Sequence, residues 1–297
     1  MTLTGVLAPV PTPFDDADRL DTKRLKRALQ HWLASPLTGF VILGSTGEAP
    51  LLDDAEADRA VAAARDVVPR TRTFIVGAGR ESTASAVRAA KRAGRLGADA
   101  VLVRTPGFFK NQLTSDALVG HYRQVADASP VPVLLYQFPA LTGVSLETHA
   151  VRQLAAHPNI VGLKDSSGDV LQISDFAASC GSGNFSVLTG SASTFYTAIC
   201  MGAVGGILAL SCVLPDACTR LFALAQEGRH DEGRALQQRL LPVAKLIGSA
   251  YGVPGLKAAL QIAGIDVGGP RRPLPPAPDE AVDALREELA AFEGLPV

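Results

Sequence analysis

The sequence predicts an α/β fold, a (β/α)8 TIM barrel with a C-terminal helical extension, and three observations predict it. Short runs rich in Val, Ile, Leu and Phe alternate with longer Ala-, Arg- and Glu-rich stretches along most of the chain. The apolar runs are nearly continuous, without the alternation of a half-exposed sheet. Parallel strands read this way because helices cover one face and packed side chains the other. Eight strand–helix units are complete by about residue 226 of 297, and one barrel commonly fills a chain of this length.

Taken in order, the expected strands are 5–10, 39–45, 73–79, 98–106, 131–139, 160–166, 185–191 and 205–210. Segments 21–34, 53–67, 82–94 and 113–128 place apolar residues at helical spacing, and Asp21, Asp53, Ser82 and Thr114 stand at or near their starts as caps. After residue 226 no further strand is expected. Segments 233–252, 255–264 and 279–292 read as helices, with the Pro-rich stretch 268–278 as a loop or strap. Residues 1–226 are therefore expected to form the barrel and 227–297 a helical region packed on it. An open doubly wound sheet is the competitor. The first strand is followed by Pro11-Thr12-Pro13 and no G-x-G-x-x-G, which argues against dinucleotide binding.

Composition narrows the function. Charged residues make up 19% of the chain, hydrophobic residues 47%, and the net charge is -1. Disorder is excluded, and no basic field is available to hold nucleic acid. The apolar runs are too short to cross a bilayer. The opening MTLTGVLAPVPTPF lacks a basic segment followed by a long apolar core. Cys180, Cys200, Cys212 and Cys218 include no C-x-x-C pair. A reduced cytoplasmic protein is the expectation. His31, His121, His149, His157 and His230 are scattered without ligand spacing, so no metal site is expected.

In a barrel of this kind, chemistry gathers where strands end. Lysine is scarce, seven against 21 arginines, and six of the seven fall in helical or loop segments suited to solvent. Lys164 alone follows a wholly apolar strand. An amine desolvated there becomes a nucleophile toward carbonyls; a snorkelling lysine, or one paired with Asp165, fits the position equally well. Tyr136 closes the fifth strand, either as a proton carrier beside Lys164 or as a core tyrosine with a satisfied hydroxyl. After the second strand, Gly44-Ser45-Thr46-Gly47-Glu48 offers hydroxyls and backbone N–H groups to a small carboxylate, with Glu48 capping or bracing the loop; a plain helix-capping turn explains it as well. Gly190 after the seventh strand and Gly205-Gly206-Ile207 in the eighth let a ligand or a helix approach the backbone.

Together, G-S-T-G-E at 44–48, Y-x-x-P-A-x-T-G at 136–143 and G-x-K-D-S-S-G-D at 162–169 resemble the dihydrodipicolinate synthase/N-acetylneuraminate lyase superfamily. The resemblance runs over essentially the whole chain. It implies Lys164 as the Schiff-base residue, Tyr136 as proton donor and acceptor, and Ser45 as a relay hydroxyl. Thr46, Ser166, Gly190 and Ile207 are implied as contacts to a bound 2-oxo acid. Its partners would be a small 2-oxo acid and an aldehyde, with no metal or other cofactor, in a homo-oligomer (tetramer or dimer).

The departures from the family pattern narrow the branch. Lysine-pathway synthases usually carry Arg where Leu141 stands, and sialate lyases carry acidic residues where Ser191-Ala192 stands. Segments 157–169, 188–193, 202–210, 251–260 and 268–274 look most like the 4-hydroxy-2-oxoglutarate aldolase branch. The alternatives are a 4-hydroxy-tetrahydrodipicolinate synthase-type condensation and a non-catalytic oxo-acid-binding barrel. Phe108 and Phe109 replace the family's usual tyrosine pair, which removes a hydroxyl from the expected proton relay.

Overall fold

The computed structural model describes residues 1–180 and 185–292. Eight parallel strands follow one another as a closed barrel, in sequence order: β1 (Gly5–Pro9), β2 (Gly39–Ile42), β3 (Thr73–Gly77), β4 (Ala100–Arg104), β5 (Val133–Gln137), β6 (Ile160–Asp165), β7 (Ser186–Thr189) and β8 (Gly205–Ile207). Helices α1 (Thr22–Leu33), α2 (Asp54–Arg65), α3 (Thr83–Arg95) and α4 (Ser115–Ala128) follow the first four strands. A single turn, α5 (Pro139–Thr142), and α6 (Thr148–Ala155) follow β5; α7 (Val170–Cys180), α8 (Phe195–Cys200) and α9 (Pro215–Gln226) follow β6 to β8. The chain then continues as α10 (His230–Lys245), α11 (Gly252–Ile262) and α12 (Asp279–Ala290). No described helix is long and apolar enough to cross a membrane.

The expected caps form. Asp21 accepts from the N–H groups of Lys23 and Arg24, Asp53 and Glu56 make a reciprocal capping box, and Ser82 and Thr114 accept from Ser85 and Ala117. On α1 the buried face is Leu25, Ala28, Leu29 and Trp32, the i, i+3, i+4, i+7 stripe.

The chain divides into two compact units. The first joins Met1–Gly5 to Ile75–Ile207, and so contains β4 to β8. Every residue of β5 and β6 is buried. Between these strands the register shifts: Val133 pairs with Ile160 but Leu134 with Gly162, so Tyr136 falls opposite Lys164 and Gln137 opposite Asp165. Gly162 is required where it stands, since a Cβ there would run into the Ser186 carbonyl and hold β7 off.

The second unit joins Val6–Phe74 to Leu208–Val297. Here one expectation fails. Lys257 on α11 is not a solvent lysine but 3% exposed, donating to the carbonyls of Thr12 (2.8 Å) and Gly269 (2.7 Å). Its Nζ stands 2.7 Å from Glu48 Oε1. The helical pattern of α11 marked a buried face, but only the tertiary fold shows that carbonyls wait there to take the ammonium. The strap is likewise held by Arg271, whose guanidinium grips both oxygens of Glu56 at 2.7 and 2.6 Å.

One buried base gives the first unit an acid sensitivity. His121 on α4 is 7% exposed, with Nδ1 2.9 Å from Thr83 Oγ1 and Nε2 without a hydrogen-bond partner. Burial, then the nearby Arg104 charge, pushes its pKa down from 6.5 to about 4. The folded state therefore binds fewer protons than the unfolded one between those values. Stability is whole above pH 6.5 and falls as the pH drops toward 4, by about 3 kcal/mol in all. Urea titrations from pH 7 to 4 should show that loss, and His121→Gln should flatten it; identical pH profiles for the two proteins would contradict the assignment.

Candidate active site

The register shift between β5 and β6 decides what meets at the strand ends. Lys164 is 5% exposed and Tyr136 3%, and the lysine Nζ lies 4.4 Å from the centroid of the tyrosine ring. A snorkelling lysine is thereby excluded. So is pairing with Asp165, because successive strand residues face opposite sides. The Asp165 carboxylate accepts instead from Gln137 Nε2 (2.8 Å), Ser167 N (2.9 Å) and Ser167 Oγ (2.6 Å). Burial raises the Asp165 pKa, against the pull of the Ser167 and Gln137 hydrogen bonds. Gln137 is itself fully engaged, donating to Gln172 Oε1 (2.7 Å) and accepting from Leu146 N (2.6 Å). This bracket behind the lysine was missed in the sequence. Its signal, Gln137 opposite Asp165, is visible only once the register is known.

Ser166 and Gly190 join Lys164. Ser166 N donates to Gln137 O at 3.0 Å, and Gly190 N to Asp165 O at 2.6 Å. A Cβ on Gly190 would collide with Ser166 Oγ and come within 2.8 Å of Lys164 Cε, so only glycine leaves the lysine its path. Ile207 ends β8, 1% exposed. Thr105 Oγ1 lies 3.0 Å from Thr142 Oγ1, tying the end of β4 to the turn that carries Leu141. Leu141 is 66% exposed, and Phe108 and Phe109, packed edge to face at 5.0 Å, are 80% and 67% exposed. Their loop is pinned by Glu81, which accepts from Gly107 N and Phe108 N at 3.0 Å each and from Arg104 at 2.7 Å.

Ser45 and Thr46 belong to the second unit, in the turn after β2. Part of the expected nest of open backbone N–H groups is taken up within the turn. Gly47 N bonds to Gly44 O, Glu48 N to Ser45 O and Ala49 N to Gly44 O, because the chain tightens into a 3-10 turn over Ala49–Leu51. Contact with an anion thus falls to Ser45 and Thr46 themselves. Leu43 and Glu48, at φ 60° and 54°, hold both ends of this turn in the left-handed region.

The closed parallel barrel and the family of this chain together give its class, a class I, Schiff-base type of lyase. The chain belongs to the dihydrodipicolinate synthetase family, whose model matches residues 2–292. A 4-hydroxy-tetrahydrodipicolinate synthase of Exiguobacterium sp. is 35% identical over 97% of this chain and 98% of the relative. One of Stenotrophomonas maltophilia is 36% identical over 99% of each. Among solved structures, a dihydrodipicolinate synthase of Bacillus anthracis superposes with TM-score 0.93 at 27% identity, covering 98% of this chain and 99% of that one.

The Gly190 geometry makes a direct expectation. Gly190→Ala should leave a folded barrel, destabilised by about 1–3 kcal/mol through overpacking, while turnover falls on the order of 10²-fold because Lys164 is displaced. Circular dichroism and turnover of the purified variant check this; parental turnover would show that the lysine does not use that space.

Proposed function

We propose that the chain is an aldolase that cleaves, or forms, the C–C bond between pyruvate or a close 2-oxo acid and an aldehyde, in the manner of 4-hydroxy-2-oxoglutarate aldolase. The observation that carries this reading is Lys164 buried against Tyr136 at the ends of paired strands. The Lys164 amine attacks C2 of the oxo acid, and the carbinolamine loses water to give a protonated imine. That cation draws in the electron pair as C3–C4 breaks, releasing the aldehyde and leaving a pyruvate enamine. Protonation at C3 and hydrolysis return the amine. Tyr136 serves as the proton carrier for dehydration and cleavage, with Ser45 as relay. Thr46, Ser166, Gly190 and Ile207 receive the oxo acid. No metal or organic cofactor takes part, because the imine itself is the electron sink.

Leu141 supports the branch. It occupies the place where a lysine-pathway synthase usually carries Arg for the carboxylate of its second substrate, and an exposed leucine gives that carboxylate no partner. The relatives named 4-hydroxy-tetrahydrodipicolinate synthase favour a second reading, condensation of pyruvate with aspartate semialdehyde. Oligomerisation with copies of the chain follows from the family resemblance, although a monomeric dihydrodipicolinate synthase variant is among the similar structures, at TM-score 0.92 and 28% identity.

Two experiments test this reading. Purified protein should cleave 4-hydroxy-2-oxoglutarate faster than it condenses pyruvate with aspartate semialdehyde; the reverse ranking would establish the second reading. Tyr136→Phe removes one hydroxyl and little volume, so its loss should fall on kcat, on the order of 10²–10⁴-fold. Turnover at the parental rate would remove Tyr136 from the proton path.

A further inference from the structure

The turn that carries Ser45 and Thr46 is held in a costly way. Two non-glycine residues at its ends, Leu43 (φ 60°) and Glu48 (φ 54°), adopt a conformation that side chains disfavour. Such strain persists only where the surroundings over-determine it, and it collects at functional sites. At Glu48 it is the residue's own carboxylate that is held. Glu48 is 2% exposed; Oε2 accepts from Arg271 N at 2.8 Å, and Oε1 lies 2.7 Å from Lys257 Nζ without a well-directed hydrogen bond.

The holding groups come from far along the chain. Lys257 lies on α11 and Arg271 on the strap, and both cations stack on the Phe14 ring, at 4.7 and 4.4 Å from its centroid. Thr12 completes the arrangement: its hydroxyl donates to Gly47 O at 2.5 Å while its carbonyl takes the Lys257 ammonium. Burial lowers the Lys257 pKa, and the Glu48 charge works to restore it. A dry ion pair of this kind is a weak source of stability, since apolar residues of similar volume often serve the fold as well. Stability is therefore a poor reason for placing it here. Geometry is a better one, because both its anchors and its strain converge on the residue that closes the Ser45-Thr46 turn.

We propose that Glu48 and Lys257 are positioning residues: the buried pair, with Arg271, sets the Ser45-Thr46 turn in the geometry that receives the carboxylate of the oxo acid. This inference rests on the roles proposed above for Ser45 and Thr46. It also gives the C-terminal helices a part in the reaction, since α11 and the strap hold a turn more than 200 residues earlier in the chain.

The test removes both charges together, as Glu48→Leu with Lys257→Met, so that no ion is left buried alone. Glu48→Gln, which keeps an acceptor for Arg271 N, serves as the milder second variant. For each protein the folded fraction is measured by thermal melting, and pyruvate is then trapped with borohydride over a range of concentrations. The pyruvate concentration giving half-maximal adduct, and the KM for 4-hydroxy-2-oxoglutarate, should rise about tenfold or more in the double variant, as the loss of one hydrogen bond to a carboxylate implies. The rise should be smaller in Glu48→Gln. A purely structural pair would instead lower the melting temperature and the yield of folded protein while leaving half-saturation and KM untouched, and that result overturns the proposal. Should the parent protein form no adduct at all, the reading of the site fails, and the inference with it.

Discussion

The offset between β5 and β6 is the constraint on which the site depends. Side chains alternate along a strand, so a slip of one residue would exchange the faces of the whole β6 end. With the shift after Val133, Lys164 falls beside Tyr136 and Asp165 beside Gln137. The barrel thereby separates two polar pairs that are adjacent in sequence. One keeps an amine against an aromatic ring. The other builds the hydrogen-bonded bracket of Gln137, Asp165, Ser167 and Gln172, which holds the strand end from the opposite face. Gly190 is brought to the lysine from the other side, by the pairing of β6 with β7 that sets Asp165 opposite Thr189.

The two buried lysines among the described residues show how surroundings divide a single side-chain chemistry. Lys257 donates to two carbonyls and has a carboxylate beside its ammonium, so its charge is matched. Lys164 lies against the face of a ring, with its Cε packed so closely on Gly190 that no side chain fits between them. An ammonium ringed by acceptors is a structural tie, whereas Lys164 has an aromatic face and a glycine as its neighbours.

Much of this was legible in the sequence. The eight strands, the caps Asp21, Asp53, Ser82 and Thr114, and the helices after residue 226 followed from local periodicity and capping chemistry, which the tertiary fold leaves intact. Lys164 stood out because a cation at the end of an apolar run is itself anomalous. Lys257 did not, because an amphipathic helix can carry a lysine on either face, and only residues far off in sequence decide which. The Ser45-Thr46 turn was legible only in part for a similar reason: its composition suggested open N–H groups, but bonds within the turn take up those of Gly47 and Glu48. The family resemblance was carried by the order and spacing of three motifs. The choice of branch within it rests on single positions such as Leu141, which composition and periodicity do not weigh.

The central claim is that the nucleophile is the lysine of β6. Its most direct test is the location of the covalent adduct. After incubation with pyruvate and reduction with borohydride, the protein should gain one reduced pyruvate, and peptide mapping should place it on the peptide containing Lys164, with Lys164→Ala remaining unmodified. An adduct on the peptide containing Lys257, the other buried lysine, or one that survives in Lys164→Ala, would contradict the account.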